Sequence, residues 1–261
     1  RPMYQNSFQP MRSKMSNELI KNDGPVVQLP DYLKGVDATG TEELAQYTSP
    51  GYVKIVQSMS KSLIRDGYKE GDVLVTPMGI HVAGPDEPFA FWPMFFYTEY
   101  LHTNPVGTEP FVIESTRDYD SVIAKRARDP EARVADDDTR SSEHLNYIGV
   151  IPSVSKEHPV VMSFARGSHK QGRNLATLIK MRNAPIFACR FQLTSKETSN
   201  KSGQTYFALV PENPHPDISA PFASEEDFEH LKQSYEKLMQ SVIRVDYSAD
   251  MDEDTSVEKD I

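Results

Sequence analysis

The chain has 261 residues, 38% of them hydrophobic and 25% charged, with 19 prolines. That is room for one sizeable core or two small ones, with part of the chain left outside. Its longest apolar run, Phe89 to Tyr97, is broken by Pro93 and falls far short of the ~20 residues a membrane helix needs, and no charged-then-apolar leader is visible. Cys189 is the single cysteine, which excludes an internal disulfide and any multi-thiolate metal site and suits a reducing cytoplasm.

A net charge of −10 argues at first against a nucleic-acid partner, because phosphate affinity comes largely from Lys and Arg. The distribution reverses that argument. From Val161 to Tyr206, Arg166, Lys170, Arg173, Lys180, Arg182, Arg190, Lys196 and Lys201 face only Glu197, a local balance of +7. From Asp246 to Ile261, Asp246, Asp250, Asp252, Glu253, Asp254, Glu258 and Asp260 face only Lys259, a balance of −6.

In chain order, residues 1–40 are rich in Asn, Ser, Pro and Gln without a sustained period and read as a largely disordered segment. The start at Arg1, upstream of Met15, suggests a fragment, tag or unprocessed leader. Val53 to Met59 and Val73 to Val75 read as short strands. In the strand Phe89 to Tyr100, strict alternation puts Phe89, Phe91, Phe95 and Tyr97 on one face and Trp92, Met94 and Phe96 on the other. Thr116 to Glu143 is charged and turn-rich, a long excursion between strands. Leu145 to Ile151 and Pro159 to Phe164 are strands again. His169 to Met181 has helical spacing, with Leu175, Leu178 and Ile179 apolar and Ser168 as N-cap. Ile186 to Thr194 and Thr205 to Val210 form a long-looped hairpin. Ser224 and Asp227 have capping-box spacing ahead of a helix to Val245, striped by Phe228, Leu231, Tyr235, Leu238 and Val242.

Strands, an inserted helix, a hairpin and a final helix predict a mainly β fold: an OB-like Greek-key barrel over 41–215, a helix packed on it over 216–245, and an acidic disordered tail over 246–261. Such barrels bind oligonucleotides, and single-strand binders combine a basic groove with aromatic rings on which bases stack. The expected phosphate contacts are Arg166, Lys170, Arg173, Arg182, Arg190, Lys196 and Lys201, and the expected stacking rings are Trp92, Tyr97 and Tyr206. The acids Asp250, Asp252, Glu253, Asp254, Glu258 and Asp260 can lie in the basic groove until DNA displaces them, or dock a basic partner. A rival reading comes from Gly167 to Asn174, whose two glycines have P-loop separation, although Arg173 and Asn174 stand where Lys and Ser or Thr belong. The seven histidines show no ligand spacing, so neither metal nor cofactor is expected, and no residue is assigned a catalytic role.

The run PVVMSFARGSHKQGRNLATLIKM, Pro159 to Met181, and the strand and polar hairpin of Ile186 to Pro211 resemble the C-terminal half of a group of bacteriophage proteins. LPDYLKG, VKIVQSMS and EGDVL are similar to the opening of the same group, and these patches together span about half of the chain. The group is that of phage single-stranded-DNA-binding replication proteins of OB type with acidic tails. The positions that match the group's pattern are Lys170, Gly172, Arg173, Phe187, Phe191, Thr194, Ser195 and Tyr206. It also implies a place in the host cytoplasm, work in replication or recombination, and partners reached through the tail or through a homo-oligomer. This tail ends in Ile261 where many such tails carry an aromatic. The alternatives are a virion or assembly protein whose basic and acidic parts pair between subunits, and a nucleotide-binding enzyme using the Gly167–Gly172 loop.

Overall fold

The computed structural model describes residues 50–105, 107–200 and 203–240; the expected disordered segment 1–40 and the tail 246–261 lie outside these residues. The strands are β1 (Gly51–Ile55), β2 (Val73–Thr76), β3 (Ile80–Ala83), β4 (Pro88–Thr103), β5 (Val112–Thr116), β6 (Arg140–Ile151), β7 (Ser155–Ala165), β8 (Phe191–Ser199) and β9 (Thr205–Glu212). The helices are α1 (Lys61–Arg65), α2 (Val122–Arg128), α3 (His169–Met181) and α4 (Glu225–Gln240). The strands form one curled sheet in the order β3-β2-β1-β7-β6-β4-β8-β9, with β5 added to the far end of β4. Only β1 and β7 run parallel; the other strand pairs are antiparallel.

The protein is therefore mainly β, with a helix inserted before the last hairpin and another packed on the sheet, as the sequence predicts. The sheet is a half-barrel of nine strands, more than the five of the expected Greek key. The additional elements β3, β5, α1 and α2 are four to seven residues long. Elements that short carry too few periods to stand out from turns. Residues 186–188 make a 3-10 turn where a strand is expected, because Pro185 starts a chain reversal closed by Ala188 N–H on the Pro185 carbonyl at 2.9 Å.

β4 is shared between neighbours. Its first four residues pair with β8, Phe91 opposite Phe191, and from Trp92 onward it pairs with β6, Trp92 opposite Val150. Between Pro93 and Phe95 the register slips by one residue, a β-bulge at Met94. A slip of one residue swaps faces. Phe95 and Tyr97 consequently join the side of Trp92, while Phe96 turns to the side of Phe91 and packs 4.8 Å from the Tyr147 ring. This corrects the face assignment that strict alternation predicts. Gly149 opposes the bulge, where a Cβ would stand 2.4 Å from the Trp92 carbonyl oxygen.

Two apolar layers result. Inside the curl, Val53, Val75, Phe91, Tyr147, Met162, Phe164, Phe191, Leu193 and Leu209 surround Leu175 of α3. On the opposite side, Leu231 and Leu238 of α4 cover Trp92, Met94, Val150 and Ile148. The ends of the curl are tied by a side chain acting as a strand. Gln57 donates its amide N–H to the Phe207 carbonyl and accepts the Phe207 N–H, both at 2.9 Å. Asp86 N–H on the Ser195 carbonyl, also 2.9 Å, adds a second tie. The Phe207 ring then lies on Gly71, which has φ +87° and where a Cβ would meet the ring at 2.7 Å.

Replacing Gln57 with Ala deletes both bonds of this tie and leaves the Phe207 backbone groups without partners. The expected loss is about 1–3 kcal/mol, read as a lower urea midpoint at unchanged far-UV circular dichroism.

Candidate nucleic-acid interface

α3 lies on the sheet because Gly172 lets it approach: a Cβ there would stand 2.6 Å from Phe164 Cβ. The Tyr147 hydroxyl donates to the Gly172 carbonyl at 2.7 Å, holding the helix at that depth. With Leu175 turned inward, Lys170, Arg173, Thr177 and Lys180 fall on the outer face at i, i+3, i+7 and i+10. All four are exposed, and the three cations have no acidic partner among the described residues. They span roughly 15 Å along the helix.

The start of α3 is anchored by a chain of polar contacts. His169 Nε2 meets Glu143 Oε2 at 2.7 Å, the Tyr100 hydroxyl donates to Glu143 Oε1 at 3.2 Å, and Arg128 Nη1 donates to the Tyr100 hydroxyl at 3.4 Å. The His169 hydrogen bond holds the Glu143 carboxyl below its usual range. Beside them His144 lies between the hydroxyls of Ser142 and Ser163, at 3.0 and 3.1 Å. Burial, with the charges of Arg166 and His169, pushes its pKa down to about 3.

The other expected contacts are distributed unevenly. Arg166 is half-buried in the 3-10 turn before α3, at φ +48°. Tyr206 is half-buried on β9, its hydroxyl donating to the Gly167 carbonyl at 3.2 Å, so it adjoins the start of α3. Arg182 donates to Asn213 Oδ1 at 2.8 Å and lies 5.0 Å above the Phe222 ring. Lys196 pairs with Glu212 at 3.3 Å. Lys201 lies outside the described residues, as do Asp250, Asp252, Glu253, Asp254, Glu258 and Asp260. Of the positions that match the group's pattern, Phe187 is half-buried and Phe191, Thr194 and Ser195 are buried.

Three residues expected at the surface are inside. Trp92, Tyr97 and Arg190 are 5–7% exposed; Trp92 lies on the face opposite Phe91, and the bulge brings Tyr97 to that same side under α4. Arg190 lies 3.6 Å above the Trp92 ring and bonds Asp227 Oδ2 of α4 at 2.6 Å. Lys156, which the sequence reading passes over, lies 5.2 Å from the same ring and bonds Asp227 Oδ1 at 3.2 Å. Ser224 caps α4 as its spacing predicts, accepting Asp227 N–H at 3.2 Å and donating to Asp227 Oδ2 at 2.8 Å. Partial burial raises the Asp227 pKa, but the bonds from Arg190, Ser224 and Lys156 outweigh it and hold the carboxyl at about 2. The Ser168 side chain does not cap α3; its hydroxyl is engaged by the Ala165 N–H and carbonyl.

The Gly167–Gly172 stretch forms no phosphate-cradling loop. It runs from the 3-10 turn straight into α3, and Gly172 is spent on packing against Phe164. The P-loop reading loses its geometry.

Fold and site together define a mainly β half-barrel with one cationic helical face. The chain belongs to the Pam3 phage gp34-like protein family, whose model matches residues 23–243, and so to a bacteriophage protein family. No curated protein and no solved structure matches it. No helix among the described residues is long and apolar enough to cross a membrane.

Acid titration should register both shifted groups, buried His144 and half-buried Asp227. The folded pKa of His144 lies below its unfolded value near 6.5, so its contribution is complete above pH 6.5 and drains as pH falls toward 3, by at most about 1.4 kcal/mol per unit. Asp227, unfolded near 3.9, adds a second loss between about pH 4 and 2. Urea unfolding of His144→Gln from pH 8 to 4 should show a flatter acid limb than the parent, and Asp227→Asn should flatten only the limb below pH 4.

Proposed function

We propose that this phage-family protein binds single-stranded DNA without catalysing a covalent step, and that the outer face of α3 is the first contact. The observation that carries the reading is the exposed row of Lys170, Arg173 and Lys180 on one helix face, without an acidic partner among the described residues. Lys196, by contrast, is paired with Glu212. Three cations on one helix face with no acid beside them among the described residues, in a protein of net charge −10, create a local positive field that suits a polyanion. Arg166 and Tyr206 flank the start of the row, and Tyr206 adds a half-exposed ring for a base. The acidic segment 246–261 supports the same reading as an intramolecular competitor, tethered at high effective concentration. A role in replication or recombination, with partners recruited by that segment, follows from the sequence resemblance.

The triple variant Lys170→Ala/Arg173→Ala/Lys180→Ala should bind labelled oligo-dT more weakly in fluorescence anisotropy. The slope of log K against log salt should fall by about 2, near 0.7 per lost phosphate contact. An unchanged affinity would remove α3 from the interface. Absence of any oligo-dT affinity at low salt, together with a fixed oligomer, would favour assembly between subunits instead.

Deleting residues 246–261 should tighten oligo-dT binding, most at low salt where the competitor is strongest. The same titration measures it, and equal affinities would dismiss the competitor.

A further inference from the structure

We infer that Trp92, Arg190 and Lys156 form a second, covered single-strand site, taking one phosphate and the base beside it, over which α4 holds Asp227 in the phosphate's place. The inference rests on the single-strand reading above and extends it to the opposite layer of the molecule.

Asp227 is an anion held by two cations that both lie over one indole ring. Arginine, lysine and an aromatic face are the combination that single-strand grooves present to a nucleotide. A carboxylate and a phosphodiester offer Arg190 the same bidentate oxygen geometry, so either can occupy the position. The carboxylate leaves donors unused: the Trp92 indole N–H and the Arg190 Nε–H are buried and find no acceptor among the described residues. Trp92 and Arg190 are 5% and 6% exposed. A buried donor without an acceptor is costly in a protein interior, and a bound anion supplies acceptors.

The cover itself has the character of a detachable element. α4 begins with the acids Glu225, Glu226 and Asp227, of which Asp227 lies against the two cations. It joins β9 through residues 213–224, which form no named strand and no α-helix and are tied down by one bridge, Cys189 to Phe222, next to Arg190. Its apolar hold is one buried leucine, Leu231, with half-buried Phe228, Tyr235 and Leu238. Lifting it uncovers Phe95 and Tyr97, whose rings are 6.1 Å apart and stacked, in line with Trp92 along β4. Trp92 and Tyr97 therefore serve as bases' platforms in the opened state and as core in the closed one.

Trp92 is the only tryptophan, so its emission reports this site alone. The full chain, Asp227→Asn and Lys156→Ala would each be titrated with oligo-dT, following anisotropy of the labelled strand and Trp92 emission together, after thermal melts confirm folding. The expected results are quenching of Trp92 on binding, affinity raised about 5–10-fold by Asp227→Asn, and affinity lowered about 3–10-fold by Lys156→Ala with less quenching, as for the gain or loss of one charge-assisted phosphate contact. Should Asp227→Asn not fold, the exposed Lys156→Ala decides alone. Oligo-dT binding that depends on Lys170, Arg173 and Lys180 but leaves Trp92 emission unmoved, or that Lys156→Ala does not weaken, would overturn the covered site and leave the α3 reading standing. No binding by either readout would overturn both.

Discussion

The extra residue at Met94 controls where this protein places its aromatic side chains. Before it, β4 pairs with β8 and sends Phe89 and Phe91 into the curl; after it, β4 pairs with β6 and sends Phe95 and Tyr97 to the outer layer. Without the slip, Trp92 and Tyr97 would occupy opposite faces and α4 would find no continuous apolar strip to cover. The bulge in turn depends on Gly149, since any side chain there would strike the Trp92 backbone. One glycine and one surplus residue thus set up both the inner core, which carries α3, and the outer layer, which carries α4.

The two helices are held by different physics. α3 is seated by close approach at Gly172, by Leu175 and by the Tyr147 hydroxyl, all on its inner face, so its outer cations are free of structural duty. α4 is held by a thin apolar stripe and by Asp227 between two cations. Desolvation takes back part of that attraction, and the bonds from Arg190, Ser224 and Lys156 outweigh it. The inner layer buries α3 by one face of its helix, and the outer layer holds α4 by a narrower apolar contact and a charged one.

The half-buried polar cluster at the start of α3 belongs to the scaffold. His169, Glu143, Tyr100 and Arg128 link α3, β6, β4 and α2 in one chain of hydrogen bonds. This chain fixes where Lys170 begins the cationic row, because His169 precedes it on the helix. The sequence alone contains no sign of it, since its members lie up to 69 positions apart, from Tyr100 to His169.

Periodicity and turn chemistry in the sequence determined the mainly β class, the long aromatic strand, α3 over His169–Met181, the β8–β9 hairpin and the Ser224 cap of α4. These are local matters, decided by spacing and by residues within one turn of each other. The concentration of charge between Val161 and Tyr206 was equally legible, because charge is counted without knowing the fold. Only the tertiary structure decided which of those charges remain available. Arg190 and Arg182 are consumed by Asp227 and Asn213, Lys196 by Glu212, and Lys170, Arg173 and Lys180 are left facing outward. It alone decided that Trp92 and Tyr97 are buried, since a one-residue slip in pairing between strands some fifty positions apart leaves no mark on the composition of either strand.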